Sequence, residues 1–138
     1  MNPVKPLDSQ MQLLGKVLDL RAEKAQLIST NIANAETPGY KASHFEFEED
    51  LARAMGNQNG LRMTTSNPRH MPLSPGSFAS VGGKVVFDED KTGIGDENSV
   101  KVDQEMLDLS ENELYYETAA QLLKKKLTML KYVISGGQ

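Results

Sequence analysis

A heptad repeat at each end of the chain sets the terms on which it can fold. From Val102, alternating steps of four and three residues reach Met106, Leu109, Glu113, Tyr116, Ala120, Leu123, Leu127, Leu130 and Ile134, and only Glu113 interrupts the apolar run. A period of 3.5 residues held this long belongs to a helix that lays one narrow stripe along another helix. The N-terminus repeats the pattern through Leu7, Met11, Leu14, Leu18, Arg21, Ala25, Ile28 and Ile32, with only Arg21 breaking it. Two such helices, each with one charge in its seam, read as halves of one antiparallel pairing, with the middle of the chain as an excursion between them. The register that sets Arg21 against Glu113 also sets Leu7 against Leu127 and Ile32 against Val102, so the two charges choose among registers that the apolar stripe alone cannot distinguish. Leu13, Val17, Leu20 and Leu27 widen the first stripe beyond what one partner helix covers, which predicts a second partner from another region or another copy.

The expected fold class is therefore mainly α, with long terminal helices in a coiled-coil-like core. The irregular middle segment holds a short helix and a short strand or hairpin. At 138 residues the chain suits one elongated unit: a helix over 7–35, a turn and irregular segment over 36–99, and a helix over 103–135. A mean hydropathy of −0.46 and the absence of tryptophan fit much exposed surface. The net charge of −4 argues against nucleic acid as a partner, and Lys124, Lys125, Lys126 and Lys131 read as cations complementing the dipole of the last helix. Zero cysteines exclude disulfides and thiolate metal sites. Residues Met1 to Leu7 contain Lys5 and two prolines but no apolar core of a leader, so no cleavable signal peptide is expected.

Within the chain, Asp8 or Ser9 can cap the first helix. Its end carries a dense stop signal, Asn31-Ile32-Ala33-Asn34-Ala35-Glu36-Thr37-Pro38-Gly39-Tyr40. Pro38 disfavours helix at Thr37 and suits the second position of a type II turn, whose third position needs positive φ and is filled by Gly39. The amides of Asn31 and Asn34 can satisfy backbone groups freed there, and Tyr40 emerges beyond the turn as an aromatic anchor. From Ser43, the spacing of Phe47, Leu51 and Met55 predicts a short helix carrying Glu46, Glu48, Glu49 and Asp50 as a solvated face. Residues 56–83 read as loop. Lys84-Val85-Val86-Phe87 is the best strand, and Asp103 is the expected cap of the last helix, with Val102 stapled to Leu107.

No chemistry-bearing constellation emerges. His44 and His70 are too far apart to suggest a metal. Asp88 to Ser99 opens like a calcium loop but lacks the bidentate Glu at its twelfth position. No nucleophile, base and orienting group cluster, so neither catalytic residues, nor a cofactor, nor a small-molecule substrate is expected.

Ala33-Asn34-Ala35-Glu36-Thr37-Pro38-Gly39-Tyr40 resembles the Ala-Asn-x-x-Thr-Pro-Gly-Tyr signature of bacterial flagellar rod and hook axial proteins, without departures. Ser66 to His70, Asn98 to Met106 and the ending Leu127 to Ser135 are similar too, and the short length without an inserted domain points to a proximal-rod member. The resemblance implies a structural protein exported through the flagellar type III apparatus and assembled in the basal body, in the periplasmic space. It implies as partners copies of itself, the proximal-rod protein FlgC, the rod adaptor FliE, and the export gate or membrane ring. The competing expectation is a secreted coiled-coil binding module or adaptor that docks one target helix.

Overall fold

The computed structural model describes residues 5–56, 78, 81–88 and 98–136. Along the chain these form helix α1 (Lys5–Ala33), strand β1 (Ser43–Glu46), helix α2 (Glu48–Gly56), strand β2 (Lys84–Phe87) and helix α3 (Val102–Ile134). Most of the loop that opens like a calcium site, residues 89–97, and His70 lie outside the described residues.

Helices α1 and α3 pack antiparallel. Near one end the Lys126 ammonium donates to Gln10, and near the other Asn31 donates to Glu105. α1 starts at Lys5, earlier than a cap at Asp8 or Ser9 would have it, because Pro6 suits the first helical turn, where no N–H partner is needed. α3 starts at Val102 after Lys101, whose side chain makes no cap, so Asp103 lies inside the first turn instead of capping it. Val102 and Leu107 are both exposed and form no staple.

The strand expected at Lys84–Phe87 pairs antiparallel with Ser43–Glu46, with Phe45 opposite Val85. The short helix expected from Ser43 is thus a strand first and a helix only from Glu48. This two-stranded sheet and α2 form the second partner of α1. Leu20, Phe45, Phe47, Ala54, Phe78 and Val81 make one buried cluster, with Leu13, Leu27 and Leu51 packed against it. Burying each of these phenylalanines contributes about 1.5–3 kcal/mol, so the middle segment is tied to the flank of α1 that the pairing with α3 leaves open. The far edge of the Phe45 ring lies against Gly83, where an added Cβ would fall 1.9 Å from Cζ. Only glycine admits that approach.

On α3 the stripe that faces α1 differs from the expected one by one residue in every second layer. Leu109, Leu123 and Leu130 are partly buried as expected, but the intervening inward positions are Glu105, Asn112, Ala119 and Lys126, instead of Met106, Glu113, Ala120 and Leu127. Met106, Leu127 and Ile134 are exposed, as is Glu113. Small and polar residues hold these layers because they hydrogen-bond to α1 or let its backbone approach, which an apolar count does not register.

Candidate functional site

Among the described residues, hydrogen bonds are densest where α1 ends, β1 begins and α3 begins. Asn31, fully buried in the last turn of α1, holds it together. Its amide Nδ2 donates to the Ser43 carbonyl at 2.8 Å and to Glu105 Oε2 at 3.1 Å. Its Oδ1 accepts from the Ser43 N–H at 3.0 Å, and more distantly from the Ser43 and Tyr40 hydroxyls. The side chain is matched to this place because a carboxamide offers two N–H donors and an acceptor oxygen from one planar group. Glu105 and Ser43 are themselves buried, so each would be left without this partner if Asn31 were lost.

Below the hub the chain turns as its sequence requires. The Asn34 N–H still reaches Thr30, and its side chain returns to the same carbonyl at 2.8 Å. The Tyr40 N–H donates to the Thr37 carbonyl at 3.2 Å, closing the turn over Pro38 and Gly39. Gly39 has φ of 73°, with open space where a side chain would stand, so the requirement for glycine there is conformational and not one of room. Thr37 donates to Asn34 Oδ1 at 3.3 Å.

Asn98 completes the junction from the other side. Its amide spans the carbonyls of Asn34, Ala35 and Thr37 at 2.8–3.0 Å, satisfying groups released at the end of α1. Ser99 accepts from the Ala42 N–H at 2.8 Å and donates its own N–H to Tyr40. The signature turn and the segment before α3 are therefore two sides of one hydrogen-bonded joint. The sequence singled out Asn31, Asn34, Thr37, Pro38, Gly39 and Tyr40. It assigned no role to Asn98 or Ser99, and to Glu105 only that of a carboxylate favouring the first turn of α3.

Ten residues before the hub in α1, Arg21 makes a second layer. Its guanidinium lies between the rings of Phe47, 5.0 Å from the centroid, and Tyr115, at 4.6 Å. Nη1 donates to Asn112 Oδ1 at 3.3 Å and lies 3.5 Å from Glu48, while Asn112 donates back to the Arg21 carbonyl at 2.8 Å. The residue opposite Arg21 is thus Asn112, one position before Glu113. Arg21 faces both the partner helix and the middle segment, so a neutral amide on α3 suffices and the countercharge comes from Glu48. Lys24 also pairs with Glu48 at 2.8 Å. Burial alone would raise the Glu48 carboxyl, but the bonds from Lys24 and from backbone N–H groups, with the Lys24 charge, outweigh it and hold it below the ordinary carboxylate range.

Of the other seam positions, Ile28 is buried, and Met11, Leu14, Leu18, Ala25 and Ile32 are partly buried. Tyr116 and Val102 are exposed, Ala120 is partly buried, and the side chain of Leu7 lies outside the described residues. A cleft of about 400 Å³ opens beside Arg21 and is lined by charges of both signs, including Lys24, Glu48 and Asp108. Among the described residues, no three His, Asp or Glu side chains could hold a metal ion, and no helix is long and apolar enough to cross a membrane. What this arrangement does is mechanical: it locks two long helices and a small sheet at one end.

No protein-family model matches the chain. Known proteins do match along nearly its full length. It is 29% identical over 135 residues to the flagellar basal body rod protein FlgB of Salmonella typhimurium, covering 95% of this chain and 96% of that protein. To the protein of the same name from Aeromonas hydrophila it is 31% identical, over 88% of this chain and 89% of that one. To that of Cereibacter sphaeroides it is 34% identical, over 92% of this chain and 94% of that one. With this identity over this coverage, the chain belongs to the family of flagellar basal body rod proteins FlgB.

Proposed function

We propose that the chain is a structural subunit of the proximal rod, acting as one elongated axial unit over residues 1–138 and joined to its neighbours through its terminal helices. The observation that carries this is the contrast between the inner joint of the helix pair and the outer surface of α3. The joint around Asn31 is saturated with internal bonds, whereas α3 leaves Met106, Leu107, Leu114, Leu122, Leu127, Met129 and Val133 exposed. Apolar surface of this extent on a small chain is surface for other subunits. Its partners in this reading are copies of itself, FlgC, the adaptor FliE, and the export gate or membrane ring at the periplasmic base of the rod, reached through the flagellar type III apparatus. The chain performs no catalysis in this role; its residues supply shape and contact.

The test is to complement a strain lacking the chain, purify its basal bodies and image them. Rod density that fits the α1–α3 pair, repeated around the axis, is the expected result. Chain that reaches the cell envelope but is absent from the rod, or that is held there in a closed complex of few copies, would favour the coiled-coil adaptor instead.

A further inference from the structure

The outer edge of β1 borders the cleft beside Arg21. Asp88 donates its N–H to the Ala42 carbonyl, so in the alternating ladder Ala42, His44 and Glu46 bond towards β2, while Ser43, Phe45 and the following Phe47 turn their backbone groups away from it. The two outer members of that row are satisfied. Ser43 exchanges both groups with Asn31, and Phe47 donates to Glu48 Oε2 and accepts from the Leu51 N–H. Phe45 lies between them with its ring in the core, and it borders the cleft. Among the described residues nothing bonds to its outward N–H and carbonyl. Phe45 is 2% exposed, so a partner for these two groups must come through the cleft. The floor of the cleft is α1 and its far wall is α3, and its volume of about 400 Å³ is that of a ligand pocket. The cations of the floor are matched, since Arg21 and Lys24 share Glu48. The remaining carboxylates are not: among the described residues Glu46, Asp108 and Glu111 pair with no cation, and Asp108 accepts from the neutral Gln104 amide.

We propose that this cleft seats an extended segment of another protein, added to β1 as an antiparallel strand between β1 and α3, with basic side chains alternating with small ones. One residue of the segment exchanges both backbone bonds with Phe45. Its side chain then projects on the Phe45 face, towards α1, where the cleft floor favours a small residue. Its two neighbours project on the face of His44 and Glu46, where basic groups meet Glu46 and, from the facing helix, Asp108 and Glu111. A second copy does not supply such a segment. Among the basic residues of this chain the one pair two positions apart is Lys124 and Lys126, and both lie inside α3, where the backbone is helical. The seat uses none of the exposed apolar side chains of α3, and it does not depend on the reading of the chain as a rod subunit.

The test titrates the isotope-labelled full chain with blocked five-residue peptides and follows backbone amides by NMR. The probes are Ala-Arg-Ala-Arg-Ala, the same peptide N-methylated at its middle alanine, and Ala-Glu-Ala-Glu-Ala. The arginine peptide is expected to bind, to move the Phe45 amide signal, and to weaken as salt is raised. N-methylation removes the donor to the Phe45 carbonyl and should weaken binding roughly tenfold. Asp108→Asn with Glu111→Gln should weaken it about fivefold, with circular dichroism showing that helix content is kept. A Phe45 amide unmoved by the arginine peptide at about 10 mM, well above a millimolar Kd, would overturn the seat. So would equal binding of the arginine and glutamate peptides, or of the N-methylated and unmethylated ones. Rod localisation of the chain is measured separately, so the seat can fail while the proposed function stands, and the reverse.

Discussion

Replacing Asn31 by leucine is the sharpest perturbation of the joint, because it keeps the number and branching of heavy atoms while removing every polar one. Three buried groups then lose a partner: the N–H and the carbonyl of Ser43, at 3.0 and 2.8 Å, and the Glu105 carboxylate, at 3.1 Å. An orphaned buried group costs about 1–3 kcal/mol. Allowing for relaxation and entry of water, the loss should be about 4 kcal/mol, a large fraction of the ~5–15 kcal/mol that holds a domain folded. Urea unfolding followed by circular dichroism measures this directly, and amide exchange at Ser43, whose N–H bonds to Asn31, should accelerate beyond the global change. Asn31→Asp is the informative companion. It keeps an acceptor for the Ser43 N–H but turns the donor into an oxygen aimed at the Ser43 carbonyl and at Glu105. It should be at least as destabilising at neutral pH and recover in acid, where a bound proton restores a donor. A loss under ~1 kcal/mol for Asn31→Leu would refute the claim that this amide ties the joint.

Three further outcomes follow from the packing. Gly83→Ala should destabilise by about 1–3 kcal/mol, since the new Cβ meets the Phe45 ring, and combining it with Phe45→Leu should cost less than the two changes separately, as thermal melts of all three variants will show. A double-mutant cycle of Arg21→Met with Asn112→Ala should give a coupling of about 1 kcal/mol, whereas Arg21→Met with Glu113→Ala should be additive within ~0.3 kcal/mol; exchanging Arg21 and Glu113 should therefore restore nothing. Because folding lowers the Glu48 pKa beneath the ordinary 4.5, its ion pairs add stability above that value and lose it as pH falls through the lowered one. Glu48→Gln should flatten that part of the acid limb in unfolding midpoints measured between pH 3 and 7, modestly, since the side chain is half exposed.

How much of this was legible in the sequence depended on the range of the interaction. The turn at Thr37–Tyr40 was, because proline and glycine constrain their own backbone whatever surrounds them, and Gly39 has the positive φ that the reading required. Lys84–Phe87 was, because its β-branched and aromatic run is bounded by glycines and Asp88. The paired helices were too, since their stripes are long. Which residues of α3 face α1 was half legible. The layers at Glu105, Asn112 and Ala119 are closed by hydrogen bonds and close backbone approach, so the apolar residues beside them at Met106 and Ala120 drew the stripe one position too far. Ser43–Glu46 read as the start of a helix because four residues cannot show a period. Its pairing with Lys84–Phe87 is a property of distant sequence. Arg21 was recognised as the charge that breaks the seam, but its position between Phe47 and Tyr115 depends on a middle segment whose docking no local pattern reveals.

The joint around Asn31 sits at one end of the helix pair only. Towards the other end, among the described residues, the cross-helix polar contact is Lys126 with Gln10, and Tyr132, Val133 and Ile134 stand in solvent. The pair is thus built like a cantilever, with its polar clamp at the root. Long helices bend gently at little cost. A subunit of this design can seat an identical root at every position of a curved wall and let its tip take up whatever misfit its surroundings impose.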